Sequence, residues 1–189
     1  MHPFDEEAAL ANFRTKTDVD RHFLRLAMAD RVASDDPKAR TVVQSGVAAV
    51  LVKNGRIIAR SANVLPPRLK IGRLKAGSEI SEEDRYHLIE HAERAAIFQA
   101  LLARRDMDRA TIYCTRFPCS DCARAIVWAG LSRGVFAAGY AGEIRWIQSQ
   151  RAAVRILRQA GVTVRVLEDR AVKGGRIINW RLGGFCDDL

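Results

Sequence analysis

From His91 to Leu167 the chain alternates helical and strand patterns, and this alternation most limits the folds open to it. The apolar run 92–103 reads as a helix opening at His91. Strand patterns at 111–114, 134–138 and 162–167 are separated by helical patterns at 119–131 and about 146–160, the last stopped by Gly161. Such alternation predicts a sheet covered by helices on both faces. The helix between the last two strands predicts that they run parallel, because a crossover of this kind returns the chain to the same edge. Upstream, an amphipathic segment at 18–32 with Phe23, Leu26 and Ala27 at helical spacing predicts an N-terminal helix, ended by Ser34-Asp35-Asp36-Pro37. Apolar runs at 47–52 and 57–61 flank Asn54-Gly55 and predict an antiparallel hairpin. The stretch 63–90 carries Pro66-Pro67 and the basic positions Arg68, Lys70, Arg73 and Lys75; Ser81 with Asp84 suggests a capping box within it. Residues 1–167 read as one domain and 168–189 as a C-terminal arm or hairpin around Gly174-Gly175.

Two short motifs carry the chemistry: His91-Ala92-Glu93 and Pro118-Cys119-Ser120-Asp121-Cys122, each where a helix begins. The cysteines are spaced i, i+3, which puts both sulfurs on one side of a helical turn, and Pro118 suits a helix start. A helix N-terminus lowers thiol pKa, so both can bind metal as thiolates. Side chains of a first turn lean back toward the N-terminus, which lets His91 and Glu93 reach a site beyond the helix end. Three protein ligands leave a fourth tetrahedral position for water, the arrangement of a catalytic zinc site, and Glu93 is then cast as the proton carrier. A CxxC alone is also compatible with a redox pair or half of a structural zinc site. The conjunction of both motifs favours catalysis.

Length and composition set the class. At 189 residues, 48% hydrophobic and 28% charged, the chain can bury the core of one globular domain without disulfides. No apolar run is long enough to span a bilayer, and the polar, acidic start resembles neither a signal nor a transit peptide, so a cytoplasmic protein without a membrane partner is expected. Of four cysteines, Cys119 and Cys122 are assigned to metal, Cys114 reads as a buried small hydrophobe and Cys186 lies in the tail. The formal net charge of +9 favours anionic ligands, either a mononucleotide phosphate or a nucleic acid backbone. Arginines also recur along helices as solvated faces, Arg94, Arg104 and Arg105 on one and Arg151, Arg155 and Arg158 on another, so charge alone does not separate these partners.

The paired motifs resemble the cytidine and deoxycytidylate deaminase superfamily, whose signature is H-x-E followed by P-C-x-x-C. The resemblance spans about residues 21–167 and is nearest the deoxycytidylate (dCMP) branch. It rests on Asp20-Arg21-His22-Phe23-Leu24-Arg25-Leu26-Ala27, on His91-Ala92-Glu93-Arg94-Ala95-Ala96-Ile97, and on Phe117-Pro118-Cys119-Ser120-Asp121-Cys122-Ala123-Arg124-Ala125-Ile126. The fold it implies is a three-layer α/β/α cytidine deaminase-like domain with a five-stranded mixed sheet. It implies one zinc ion per chain on His91, Cys119 and Cys122, Glu93 as proton shuttle, and the Ala92 backbone N–H facing a pyrimidine carbonyl. Asn63-Val64-Leu65-Pro66 resembles the family's Asn-Gly-x-Pro substrate loop, so Asn63 is expected to hold sugar or base; read without the resemblance it is a turn residue. The implied reaction converts dCMP to dUMP and ammonia. Glu93 takes a proton from water and gives it to ring N3, hydroxide adds to C4, and Glu93 passes a proton to the departing amino group. A homo-oligomer of at least two copies is also implied.

The chain departs from the pattern at Val64, where the loop has glycine, and at Ala95, where the branch often has asparagine; both weaken dCMP as substrate. The second, cysteine-rich zinc site of some relatives has no ligands here, His87 being the one extra histidine nearby. Four readings compete. A mononucleotide deaminase would use Arg68, Lys70, Arg73 and Lys75 for phosphate. A nucleic acid editor is less favoured, since aromatics are 7% of the chain and, of Trp128, Trp146 and Trp180, Trp128 is expected in the core. A free base or other small heterocycle is permitted by the altered loop. A non-catalytic zinc-binding module is disfavoured by the presence of Glu93.

Overall fold

Alternation of side chains along five strands sorts the apolar residues into two layers, one on each face of a single sheet. The computed structural model describes residues 15–41, 46–69, 84–137 and 144–167. Helix α1 (Lys16–Asp30) is followed by a 3-10 turn (Arg31–Ala33) and the short α2 (Pro37–Thr41). The hairpin β1 (Ala48–Lys53) and β2 (Arg56–Ala62) precedes α3 (Arg85–Leu88) and α4 (Ala92–Leu102). Then come β3 (Thr111–Cys114), α5 (Ser120–Trp128), β4 (Arg133–Ala137), α6 (Ile144–Gln159) and β5 (Thr163–Leu167). The strand order is β2-β1-β3-β4-β5. β1 pairs antiparallel with β2 and β3, while β3, β4 and β5 run parallel.

This is the expected three-layer arrangement, with the last two strands parallel as the intervening helix requires. Element ends differ from the sequence expectation by about two residues. α1 starts earlier, at Lys16, because the Thr15 side chain accepts from the Asp18 N–H and caps it. The hairpin turns at Asn54 and Gly55, whose φ values of 52° and 78° are those a two-residue primed turn needs.

On one face Ala49, Leu51, Ile112, Cys114 and Phe136 meet Ala96, Ile97 and Ala100 of α4, Ala123 and Ile126 of α5, and Ala153 and Leu157 of α6. Cys114 is buried, as expected. On the other face Val50, Val52, Tyr113, Val135 and Ala137 meet Phe23, Leu24 and Ala27 of α1. Trp128 is a correction: it is 90% exposed, not core. The buried stripe of α5 runs through Cys122, Ala123 and Ile126, and Trp128 lies off it. Arg104, Arg105, Arg151, Arg155 and Arg158 are exposed as expected, whereas Arg94 is half-buried and donates to Glu90 at 2.8 Å. Lys70, Arg73, Lys75, Ser81, Trp180, Cys186 and the 168–189 arm lie outside the described residues. Among the described residues no helix is long and apolar enough to cross a membrane.

One buried charge holds α1 to the sheet. Asp20, 1% exposed, accepts from both terminal nitrogens of Arg133 at 2.7 Å, from Arg165 at 2.7 Å and from the Tyr113 hydroxyl at 3.2 Å. Burial, and then the Asp20 charge, push the Tyr113 pKa up, so its hydroxyl keeps the proton it donates. The carboxylate is thereby tied to β3, β4 and β5 at once. Asp20→Ala leaves two guanidinium groups facing each other without their acceptor and is expected to cost about 3 kcal/mol of unfolding free energy. Urea denaturation measures it; a loss below about 1 kcal/mol would mean that water replaces the carboxylate cheaply.

Candidate active site

Two helices begin at the same place. His91 and Cys119 are the N-cap residues of α4 and α5, both extended (ψ 143° and 173°), and each backbone carbonyl takes up its helix's first hydrogen bond, from Ala95 and Ala123. Neither side chain caps its own helix, so both are free to point beyond the helix end. Cys122 follows one turn into α5, and Glu93 lies in the first turn of α4.

His91 Nδ1 lies 3.5 Å from Cys119 Sγ and 3.4 Å from Cys122 Sγ, and the three donor atoms lie within 4.8 Å of one another. Tetrahedral zinc, with Zn–S of about 2.3 Å and Zn–N of about 2.0–2.1 Å, places sulfur and nitrogen about 3.6 Å apart. The spacing and the N/S donor set therefore fit a tetrahedral metal. Among the described residues this is the one group of its kind; His87 is exposed and apart from it.

The charges at the centre are coupled. The Cys122 thiol and then the His91 ring, both hydrogen-bonded to Cys119, draw the Cys119 pKa from 9.0 down to about 4. That partner raises His91 from 6.5 to about 9, and the neighbouring Cys119 pushes Cys122 upward. Glu93, 3% exposed, is raised chiefly by burial, with the His91 charge pulling the other way.

Of the remaining predicted residues, Ala92, Asn63 and Arg68 are among those described. Ala92 is fully buried as the first residue of α4, where an N–H has no partner within the helix. Asn63, 8% exposed, is more than a turn residue: its Oδ1 accepts from Val47 N–H at 2.9 Å and from Ser34 Oγ at 2.7 Å. Val64 bridges to Glu90 through both backbone groups, at 3.2 and 2.8 Å, and so lays the 63–65 segment beside His91. Arg68 is exposed in the turn beyond.

Several residues at the centre escaped the sequence reading. Glu90 accepts from the His91 N–H at 2.9 Å and from Arg94. Ser149 of α6 accepts from the Ser120 N–H at 2.9 Å, satisfying the first free donor of α5, and Trp146 on the same helix stands edge-on to His91 at 6.1 Å between ring centres. For Trp146 the signal was its residue type; Ser149 had none, because a serine 29 residues away in sequence is invisible to local pattern.

The profile of the MafB19-like deaminase family matches residues 26–165. An uncharacterized deaminase of Aliivibrio fischeri is 30% identical over 146 residues, which cover 76% of this chain and 90% of that protein. A deoxycytidylate deaminase of Mycobacterium phage D29 is 30% identical over 131 residues, covering 65% and 96%. Among solved structures, dCMP deaminase from the cyanophage S-TIM5 superposes with a TM-score of 0.59 at 21% identity, covering 80% of this chain and 99% of that one, a likeness of fold.

The thiol order can be read chemically. With its pKa near 4, Cys119 is already thiolate at pH 6, so in chelator-treated protein its alkylation by iodoacetamide should change little between pH 6 and 8. An ordinary thiol gains roughly 50- to 100-fold over that range. Buried Cys114, whose pKa is raised, should stay unmodified until the protein unfolds. Mass spectrometry of the peptides tests this, and a steep pH rise at Cys119 would contradict it.

Proposed function

The chain belongs to the MafB19-like deaminase family, within the cytidine and deoxycytidylate deaminase superfamily, and from that premise we propose that it is a zinc-dependent hydrolytic deaminase of an aminopyrimidine nucleotide, dCMP being the best fit. The observation that carries the reading is the buried Glu93 carboxyl beside three metal-type donors to which it does not belong. Holding a metal would not require it; moving protons would. The deoxycytidylate deaminase of phage D29 supports the nucleotide, as does the net charge of +9.

His91, Cys119 and Cys122 would hold the zinc, which when bound supplies Lewis-acid activation of water near neutral pH. Glu93 does the proton work: its carboxylate takes a proton from the attacking water and delivers it to ring N3 as the oxygen adds to C4. It then carries the remaining proton of that oxygen to the amino group, and ammonia leaves a C4 carbonyl behind. The Ala92 N–H donates to the pyrimidine carbonyl, Asn63 holds the sugar or the base, and Arg68 and Lys70 contact phosphate. Assembly into at least a dimer remains part of the proposal.

A free-base substrate is the second reading, favoured by a probable cytosine deaminase of Schizosaccharomyces pombe that is 33% identical over 63 residues, only 37% of that protein. Ammonia release by zinc-loaded protein from dCMP, CMP, deoxycytidine, cytosine, adenine, guanine and tRNA separates the readings. Turnover of dCMP far above deoxycytidine is expected; cytosine as the best substrate would replace the nucleotide. Glu93→Gln should keep one zinc per chain and the fold while turnover falls at least about a thousandfold, consistent with the upper range of acid–base contributions. Unchanged turnover would remove Glu93 from the chemistry.

A further inference from the structure

The segment Ser34-Asp35-Asp36-Pro37, which ends the N-terminal helical region, also reaches across to the substrate loop. Ser34, 7% exposed, bonds through Oγ to Asn63 Oδ1 at 2.7 Å. The direction of each proton in this contact follows from its neighbours. A backbone N–H can only donate, so the Asn63 atom that faces Val47 N–H is the oxygen. The Asp36 N–H donates to Ser34 Oγ at 3.1 Å, which leaves the serine proton to be given to Asn63. Both lone pairs of Asn63 Oδ1 are thereby occupied, and its Nδ2 points away as a donor with no partner among the described residues. A buried amide donor without an acceptor is costly unless something else meets it.

We propose that Ser34 is a positioning residue: together with the Val47 N–H it commits the Asn63 amide to donate through Nδ2 to an acceptor atom of the substrate. This rests on the reading of Asn63 as a substrate residue. Without the Ser34 hydroxyl, one of the two contacts that fix the amide is lost, and the side chain can turn away from its donating orientation. The loop itself stays in place, because other contacts hold it. Asp35 N–H donates to the Asn63 carbonyl at 3.0 Å, Asp35 Oδ2 accepts from Leu65 N–H at 3.0 Å, and Arg85 of α3 donates to Asp36 at 2.7 and 2.9 Å. Ser34 thus acts on the orientation of one side chain, with the backbone around it secured independently.

The test compares zinc-loaded wild type, Ser34→Ala and Ser34→Thr on dCMP, or on whichever substrate of the panel the wild type deaminates best. Ser34→Ala should raise KM about tenfold with kcat within threefold and zinc content unchanged. Ser34→Thr, which keeps the hydroxyl, should return KM to within threefold of wild type. Calorimetry of the reaction product should show the same loss in affinity. A purely structural role would lower the melting temperature without this split between KM and kcat. If Ser34→Ala is not recovered folded, Ser34→Cys, with a weak donor of similar size, should show a smaller rise in KM. Unchanged KM and product affinity in a folded Ser34→Ala or Ser34→Cys protein overturns the role of Ser34 while leaving the deaminase intact. Wild type that is silent on dCMP but active elsewhere counts against dCMP alone; silence on every substrate overturns the deaminase reading and this inference with it.

Discussion

The centre depends on how closely α4 and α5 approach the sheet and each other, and alanine sets that distance. The buried residues of α4 are Ala92, Glu93, Ala95, Ala96, Ile97 and Ala100, those of α5 are Cys122, Ala123 and Ile126, and Ala49 of β1 lies in the same layer. Small side chains let the two helix axes pack near the strands, and a larger residue would hold them apart. Because both helices start where the chain leaves an extended conformation, their first turns open at one spot, and the His91 and cysteine donors meet at 3.4–3.5 Å. Each helix start also carries unsatisfied N–H groups and a partial positive charge, which favours thiolate at Cys119.

The rest of the fold keeps those two starts fixed. On the far face, Asp20 joins α1 to three strands, so the sheet under the centre is held from behind. On the near face, Phe117 packs edge-on to Phe136 at 5.3 Å and Pro118 is fully buried, which anchors the residues leading into Cys119. Phe136 can lie there because its neighbour on that face is Gly134: a Cβ at 134 would come within 2.4 Å of the ring. From the side, Ser149 of α6 completes the hydrogen bonding of the first turn of α5. The helices expected on both faces thus hold the sheet from two sides.

What was legible in the sequence is what depends on short spacing. The i, i+3 cysteines, the H-x-E step, the Asn54-Gly55 turn and the strand–helix alternation are all decided within a few residues, and the structure places them as expected. Contacts between distant side chains were not legible. The Ser34–Asn63 bond spans 29 residues and the Asp20–Arg165 pair 145, and neither has a local pattern. Trp128 failed for another reason: it lies in a helix expected to be core, but helical phase decides which side of α5 is buried, and Trp128 falls outside that arc.

The two departures from the family pattern now separate physically. Val64 meets Glu90 through its backbone N–H and carbonyl alone, and it is not among the residues with positive φ, so nothing in its observed role calls for glycine. The loop keeps its place beside His91, and Asn63 keeps its anchored amide, with valine in that position. Ala95 is different. It is 6% exposed within α4, where its methyl group contributes packing and offers no hydrogen bond, so an asparagine there would bring a polar side chain that this chain lacks. The valine at position 64 thus leaves the loop's backbone pairing intact, whereas the alanine at position 95 changes the hydrogen-bonding groups that α4 can present.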